Sequence, residues 1–368
     1  MDATAIPSFD LQIMDFCKRA FARGGHALPG SPARAAWALP RLAFQRRQAL
    51  RREAAARAGR IVPPILIASV TRRCNLDCAG CYAKALRPQG EIAPELSDER
   101  FLELFREAVA LGVGAVMVAG GEPLLRRGLL EGAAGLGGLV LPVFTNGTLI
   151  DASWLELFAE GSLVPVLSIE GEPAFTAARR GSGVHEAVLG AAASLRERGA
   201  RFGISITLSS RNFETVLSPA FLERIDRLGA AALFLVEYVP AAPGTEELAL
   251  GPELHARLCA DARLEGLPYP VLRLPGDEEA SGGCMAAGRG FIHLAPDGSV
   301  EACPFAPYSD SSAAASSLAA ALDSPLMRSI RERHGELAES GGGCSLRGKA
   351  GWIASLSACA APAEAGAA

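Results

Sequence analysis

The chain has 368 residues, of which 49% are hydrophobic, and this content is enough to form the core of a large globular domain. Lys and Arg number 36 against 40 Asp and Glu, a net charge of −4, which argues against a protein that binds nucleic acid through bulk positive charge. No apolar run approaches the roughly 18 residues that span a bilayer, and the first residues lack the basic-then-apolar pattern of a secretory signal.

Residues 1–62 are predicted to form a basic helical segment. Residues 1–60 hold eleven Lys and Arg against four Asp and Glu, and many of the arginines fall between Arg41 and Arg60. Two interpretations stay open. The helix either packs on the acidic remainder of the chain, or it meets an anionic membrane or an acidic substrate with its arginines and with Trp37, Leu42 and Phe44.

Residues 63–240 alternate short, β-branched apolar runs with amphipathic segments, which predicts βαβ units and a parallel sheet. The predicted strands are 65–70, 115–118, 139–144, 163–169, 202–208 and 232–238. Ser97 is a predicted N-cap and Gly112 the predicted end of one intervening helix. Periodicity does not distinguish an open sheet from a partial barrel, but in both folds ligands bind at the carboxyl ends of the strands.

Residues 241–360 follow a different pattern, and residues 361–368 form an Ala-rich tail that we expect to be frayed. The segment 241–283 is rich in Pro, Gly and Glu, with a helical stretch near 252–263, and another short helix is predicted near 325–334. Residues 291–295 and 299–301 flank a Pro-Asp-Gly turn, which predicts a small hairpin.

The nine cysteines are an odd number and occur in clusters, which favours metal ligands or reduced thiols over a disulfide framework. Cys74, Cys78 and Cys81 directly follow the first predicted strand. A closed zinc site needs a fourth ligand, and no His or further Cys lies nearby in the sequence. Three thiolates on a four-iron cluster would instead leave one iron open to a ligand. From the spacing alone, three interpretations stay open: an iron–sulfur cluster, a zinc site, or a chance arrangement of cysteines.

Motifs at the ends of four successive predicted strands strongly resemble those of the radical S-adenosylmethionine (radical SAM) superfamily. They are Cys74-x3-Cys78-x2-Cys81, Gly120-Gly121-Glu122-Pro123, Thr145-Asn146-Gly147 and Leu167-Ser168-Ile169-Glu170-Gly171. The resemblance covers residues 63–240 and implies a partial (β/α)6 barrel with an N-terminal helical segment and a small C-terminal extension. One departure is Gly80, because the position before the last cysteine is often aromatic in the family, and here Tyr82 follows instead.

The resemblance implies an enzyme that reductively cleaves S-adenosylmethionine at a [4Fe–4S] cluster held by Cys74, Cys78 and Cys81. The resulting 5′-deoxyadenosyl radical would abstract a hydrogen atom from an unactivated C–H bond. The residues expected to contact the cofactor are Gly120, Gly121, Glu122, Thr145 and Ser168. Glu170 and Glu237 end apolar strands and are either substrate contacts or solvated strand ends.

The substrate is left open by the resemblance. A peptide or a small metabolite is the leading expectation, and a lipid met at the membrane surface is the alternative. We expect a cytoplasmic protein that receives electrons from a donor such as flavodoxin or ferredoxin and does not act on nucleic acid. Peripheral contact with the membrane through the basic helix stays open as an alternative. The rival from another class is a non-catalytic scaffold that binds an iron–sulfur cluster or zinc.

A second set of cysteines lies in residues 241–360. Cys284, then Gly298-x4-Cys303, resembles the opening of the SPASM and twitch extensions, which bind auxiliary iron–sulfur clusters in this superfamily. Cys344 is the expected third ligand and Cys359 a candidate fourth. The further cysteines of a full SPASM pattern are absent, so the resemblance implies a truncated extension with one auxiliary cluster. The alternative is a group of buried structural thiols.

Overall fold

The computed structural model describes residues 7–23, 32–86, 93–274, 283–337 and 344–356. Within these residues nine strands form one sheet in the order β7-β6-β5-β4-β3-β2-β1-β8-β9, with every pair parallel except β8 and β9. The strands are β1 Ile65–Ser69, β2 Ala115–Ala119, β3 Leu141–Thr145, β4 Leu163–Ile169, β5 Gly203–Leu208, β6 Ala232–Glu237, β7 Val271–Leu274, β8 Phe291–Leu294 and β9 Val300–Glu301.

Helices precede, connect and follow the strands. They are α1 Pro7–Phe21, α2 Pro32–Arg57, α3 Tyr82–Ala85, α4 Asp98–Leu111, α5 Arg127–Ala134, α6 Ala152–Ala159, α7 Pro173–Arg180, α8 Val184–Glu197, α9 Phe213–Val216, α10 Pro219–Leu228, α11 Gly251–Cys259, α12 Leu318–Leu322, α13 Pro325–Glu332 and α14 Ala350–Leu356. The predicted cap of α4 is confirmed, since the Ser97 side chain accepts a hydrogen bond from the Arg100 N–H and Gly112 follows the last turn.

The sheet is curled into a partial barrel, which confirms the predicted fold class. Phe144 on β3 and Phe234 on β6 have ring centroids only 5.2 Å apart, although in a flat sheet their strands would be about 14 Å apart. Phe16 of α1 packs on the same Phe234 ring at 5.8 Å. The N-terminal helices therefore close the inner face near the amino ends of the strands and leave the carboxyl ends free.

Three strands after residue 240, β7, β8 and β9, extend the same sheet. The predicted hairpin is confirmed as β8 and β9, and β8 pairs in parallel with β1. His293 on β8 lies 2.8 Å from Ser69 of β1 and 2.6 Å from Glu301 of β9, which links the three strands through buried side chains. Strand β7 is an element that periodicity missed, because its four residues are all half-buried and show no alternation. The domain boundaries themselves stay a prediction.

Helix α2 packs on the body of the protein with its apolar side. Phe44 is buried, and the buried Arg52 pairs with Asp10 of α1 at 2.6 Å. The Gln48 amide donates to the Val113 carbonyl oxygen at 2.9 Å, whereas Arg46 and Arg47 face solvent. Across the described ranges, none of the helices combines the length and apolar character that crossing a membrane requires.

Candidate functional site

A cavity of about 810 Å³ opens at the carboxyl ends of the strands. Apolar side chains from β1, β2, β3, β6 and β7 line its inner part, namely Ile67, Met117, Phe144, Val236 and Leu274. Its rim is formed by the segment with Cys74, Cys78 and Cys81 and by the residues that follow the strands. All five residues expected to contact a cofactor also line it: Gly120, Gly121, Glu122, Thr145 and Ser168. The structure therefore brings every predicted residue of the primary site to one cavity.

The three cysteines of the first cluster lie on an open loop between β1 and α3. Cys74 is exposed, Cys78 and Cys81 are half-buried, and all three thiols are free. Partial burial raises the pKa of Cys74 and of Cys78, and at Cys78 the positive charges of Arg180 and Arg179 act in the opposite direction. The loop thus offers three thiols to the cavity, and at Cys78 the two arginines partly offset the effect of burial on the pKa.

The spacing of the possible ligand side chains distinguishes a zinc site from an iron–sulfur cluster at the cysteine loop. Among the residues with described coordinates, no three His, Cys, Asp or Glu side chains lie close enough together to hold a single metal ion. The zinc alternative therefore lacks its ligand set there. A cubane cluster does not require sulfur atoms to meet at one point, because each thiolate binds a different iron.

The two glycines after β2 are required by the chain itself. A Cβ on Gly120 would lie 2.5 Å from the Thr71 carbonyl oxygen, and one on Gly121 would lie 2.1 Å from that of Arg73. The Gly121 N–H donates to the Thr71 oxygen at 2.7 Å. The glycines thus allow the end of β2 to dock against the segment that leads into Cys74, so that their immediate role is to position the cysteine loop.

Glu122 and Thr145 reach the cavity wall but are bonded to each other. The Thr145 hydroxyl donates to Glu122 Oε1 at 2.7 Å, and the Asn146 N–H donates to Oε2 at 2.9 Å. Burial raises the pKa of Glu122, although these donors favour its charged form. The Asn146 amide also donates to Asn75 in the cysteine loop at 2.8 Å. This network joins the ends of β2 and β3 to the loop, and the cofactor roles of Glu122 and Thr145 stay predictions.

Arg179 and Arg180, at the end of α7, line the cavity and were not anticipated from the sequence. Both pair with the buried Glu170, at 2.6 and 2.7 Å. Glu170 is therefore a buried ion-pair partner and not a solvated strand end. The signal in the sequence was weak, because two basic residues in the last turn of a helix are common on protein surfaces.

Glu237, the other strand-end carboxylate, is also buried and faces the cavity. His255 of α11 holds it, with Nδ1 3.0 Å from Oε1, and the other ring nitrogen lies 3.6 Å from the sulfur of Cys259. The i, i+4 spacing of His255 and Cys259 could have revealed their contact, but their link to Glu237 depends on the tertiary fold.

The second cysteine set is more closely packed than the first. Cys284 and Cys303 are buried, and Cys344 is hydrogen-bonded to Cys303. That bond lowers the pKa of Cys344 to about 7 and raises the pKa of Cys303, whose sulfur is also near Cys284. The structure thus brings together the three predicted auxiliary ligands. Cys359, the candidate fourth, and the tail 361–368 lie outside the described residues.

The two cysteine sets are neighbours across an aromatic contact. Pro304 and Phe305, which follow Cys303, line the large cavity, whereas the second set of thiols does not. The ring of Phe305 packs against that of Tyr82, which follows Cys81, with centroids 4.7 Å apart. The second set therefore lies behind the wall of the cavity.

Comparison with known proteins connects this site to a family. Residues 68–217 match the family model described as the Radical SAM superfamily. The chain is 32% identical to Fe-coproporphyrin III synthase of Methanosarcina barkeri over 167 residues, which cover 44% of this chain and 41% of the relative. It is 28% identical to AdoMet-dependent heme synthase of the same organism over 67% of this chain and 78% of the relative. It is 30% identical to PqqA peptide cyclase of Granulibacter bethesdensis over 46% of each.

These alignments leave parts of the relatives unmatched, and the chain spans less than half the length of the Fe-coproporphyrin III synthase. Among solved structures, Streptococcus suis SuiB bound to precursor peptide SuiA superposes with a TM-score of 0.59 at 18% identity. The superposition covers 79% of this chain and 71% of SuiB. At this identity the likeness concerns the fold, and it agrees with the curled sheet described above.

Proposed function

We propose, on the premise that this chain carries a radical SAM domain, that it cleaves S-adenosylmethionine in the strand-end cavity and abstracts a hydrogen atom from its substrate. One observation carries the proposal. The free thiols of Cys74, Cys78 and Cys81 meet the Gly120-Gly121 strand end at a single cavity that is open to ligands. A family motif whose members were scattered over unrelated surfaces would not support an active site.

The residues present fit the proposed cofactors. Three thiols on an open loop suit a [4Fe–4S] cluster with one iron left for a ligand. When bound, cluster and S-adenosylmethionine supply the electron and the 5′-deoxyadenosyl radical that takes the hydrogen atom. Gly120, Gly121, Glu122, Thr145 and Ser168 remain our candidates for the cofactor contacts. The apolar inner wall excludes water from the reacting centre, which protects a radical from side reactions.

We propose a substrate that bears carboxylate groups, either a peptide or a small metabolite. The cavity lining contains five cationic side chains, those of Arg72, Arg73, Lys84, Arg179 and Arg180, against the three acidic ones of Asp77, Glu122 and Glu237. Glu170 pairs with both Arg179 and Arg180, and Asp297 pairs with Arg72, so these carboxylates offset much of the positive charge. A carboxylate ligand would bind by sharing the guanidinium groups with them. Relatives named for porphyrin, heme and peptide chemistry are compatible with both classes.

We further propose that residues 241–360 hold one auxiliary iron–sulfur cluster in a truncated extension of the SPASM or twitch type. The support is the close approach of Cys284, Cys303 and Cys344. The burial of Cys284 and Cys303 behind the cavity wall favours a role in electron transfer or structure over direct contact with the substrate. Iron atoms beyond those of the primary cluster would support this assignment.

For the basic helix α2 we propose a structural role instead of membrane contact. Phe44 and Arg52, two residues that a lipid surface would need, are buried against the body. Co-sedimentation with anionic vesicles at low salt tests this role. Recovery of the protein in the supernatant is the expected result, and binding that salt reverses would favour the lipid alternative instead.

We propose a reducing cellular setting on the basis of the thiols. The eight cysteines within the described residues are all free, which suits a reducing compartment such as the cytoplasm. We propose that a small electron-transfer protein, flavodoxin or ferredoxin, reduces the cluster there.

Anaerobic reconstitution with iron and sulfide, followed by reduction with dithionite in the presence of S-adenosylmethionine, tests the function. We expect 5′-deoxyadenosine to form. The Cys74/Cys78/Cys81→Ala variant should bind about four fewer iron atoms per chain and release none of this product. The same assay addresses the rival class. If the reconstituted wild-type protein binds iron at Cys74, Cys78 and Cys81 but never yields 5′-deoxyadenosine, it is a non-catalytic scaffold.

A further inference from the structure

Two buried hydrogen-bond donors at the cavity have no partner within the described residues. Tyr238 is only 2% exposed, yet its Oη has no hydrogen-bond partner there. The Nε of Arg179 is likewise buried and unpaired. Both residues line the cavity. Because buried donors are nearly always satisfied in proteins, two orphans at one cavity indicate an acceptor that belongs there.

The phenol of Tyr238 lies against the cysteine loop. A Cβ on Gly80 would be 2.1 Å from its Oη and 3.0 Å from its Cζ. Gly80 also has a φ of +63°, a region that side-chain-bearing residues rarely adopt. The space beside residue 80, between Cys78 and Cys81, is therefore filled by an aromatic ring that comes from the end of β6.

Arg179 approaches the same segment from α7. Its carbonyl oxygen accepts a hydrogen bond from the Ala79 N–H at 2.8 Å. Its Nη1 donates to Glu170 at 2.6 Å and to Thr207 at 3.1 Å. These bonds hold one end of the guanidinium group and leave the Nε–H for another acceptor. Tyr238 and Arg179 thus flank the stretch from Cys78 to Cys81.

We infer that Tyr238 and Arg179 donate hydrogen bonds to sulfur atoms of the iron–sulfur cluster held by Cys74, Cys78 and Cys81, and thereby raise its reduction potential. The inference rests on the proposed function. Cluster sulfides and thiolates are anionic acceptors, and they would lie beside the segment that both donors flank. Hydrogen bonds to cluster sulfur stabilise the reduced, more negative state. Both residues act through the cluster and are positioning residues.

The test is a redox titration of the reconstituted full-length protein, followed by electron paramagnetic resonance. Tyr238→Phe removes only the hydroxyl, and Arg179→Lys keeps the charge but removes the Nε–H. We expect both variants to bind iron in the wild-type amount and to have more negative midpoint potentials, with a larger shift when they are combined. Tyr269→Phe is the matched control, because its buried phenol donates to the Leu222 carbonyl oxygen at 2.8 Å, away from the cavity.

A spectroscopic measurement supplies a second readout. After exchange into deuterated water, pulsed resonance should detect a deuteron coupled to the reduced cluster that is lost in Tyr238→Phe and kept in Tyr269→Phe. An unchanged potential and an unchanged deuteron signal in Tyr238→Phe, with a full cluster, would overturn the inference and leave the proposed function intact. If the cysteine loop binds no cluster in the wild type, the proposed function itself fails.

Discussion

The two cysteine-bearing regions of this molecule differ in what surrounds their thiols. The loop with Cys74, Cys78 and Cys81 borders a cavity, and its thiols are exposed or half-buried. Cys284 and Cys303 are buried in the hydrophobic core, with Cys344 packed against them. A cluster in the first region could reach a ligand in the cavity, whereas the thiols of the second region do not line that cavity. Local packing therefore separates a candidate reactive centre from a candidate supporting one.

The largest effect is expected when the three cysteines of the second set are replaced. We expect Cys284/Cys303/Cys344→Ala to lose about four iron atoms and to be less stable than the wild type as an apoprotein, since buried side chains are truncated. It should still cleave S-adenosylmethionine, because the primary loop is untouched. Iron analysis, thermal unfolding and the 5′-deoxyadenosine assay measure the three effects. The Cys74/Cys78/Cys81→Ala variant is the matched control and should unfold at nearly the wild-type temperature as an apoprotein. Equal destabilisation of the two apoproteins would contradict the comparison.

Gly121→Ala probes the support of the open loop. The new Cβ would lie 2.1 Å from the Arg73 carbonyl oxygen, so the loop must shift, at a cost of about 1–3 kcal/mol in the free energy of unfolding. Urea unfolding of the apoprotein measures that cost, and iron retention reports on the loop. Gly190→Ala on α8 is the control, because nothing lies within 4 Å of its Cβ position. Similar behaviour of the two variants would show that the loop tolerates the displacement.

Thr145→Val should have a smaller effect. It removes the hydroxyl that donates to the buried Glu122, but the Leu124 and Asn146 N–H groups still donate to that carboxylate. The cost should therefore be near the net contribution of one hydrogen bond, about 0.5–1.5 kcal/mol. Thr145→Ser keeps the hydroxyl and should restore most of the stability. Urea unfolding of both apoproteins distinguishes these expectations. A Val variant as stable as the wild type would mean that the bond between Thr145 and Glu122 contributes little.

The smallest effect is expected for Cys359→Ala. Cys303 is hydrogen-bonded to Cys344 and lies within electrostatic reach of Cys284, so we expect three thiolates to suffice and the iron content after reconstitution to stay near eight atoms per chain, about four per cluster. A loss of about four iron atoms would identify Cys359 as an indispensable ligand. Cys17→Ala serves as the control, since Cys17 lies on α1, remote in sequence from both cysteine sets.

Several features of the fold could be predicted because they depend on local patterns. Buried strands of a parallel sheet are continuous apolar runs, so β1, β4 and β6 were predicted close to their observed bounds. The cysteine spacing and the Gly120-Gly121 pair predicted a site at the strand ends, and the structure gathers them at one cavity. Strand β7 was missed because four half-buried residues show neither alternation nor an apolar run.

What the sequence determined by itself was the set of thiols, the glycines beside them and the alternation that orders the strands, because each is a property of residues close together in the chain. Only the tertiary structure decided what those residues face. It placed Tyr238 beside Gly80, although more than 150 residues separate them in the chain. It also placed the Cys303 sulfur beside Cys344, about 40 residues further along. Contacts of that kind arise from the curl of the sheet and the packing of its connections, and no periodicity along the chain encodes them.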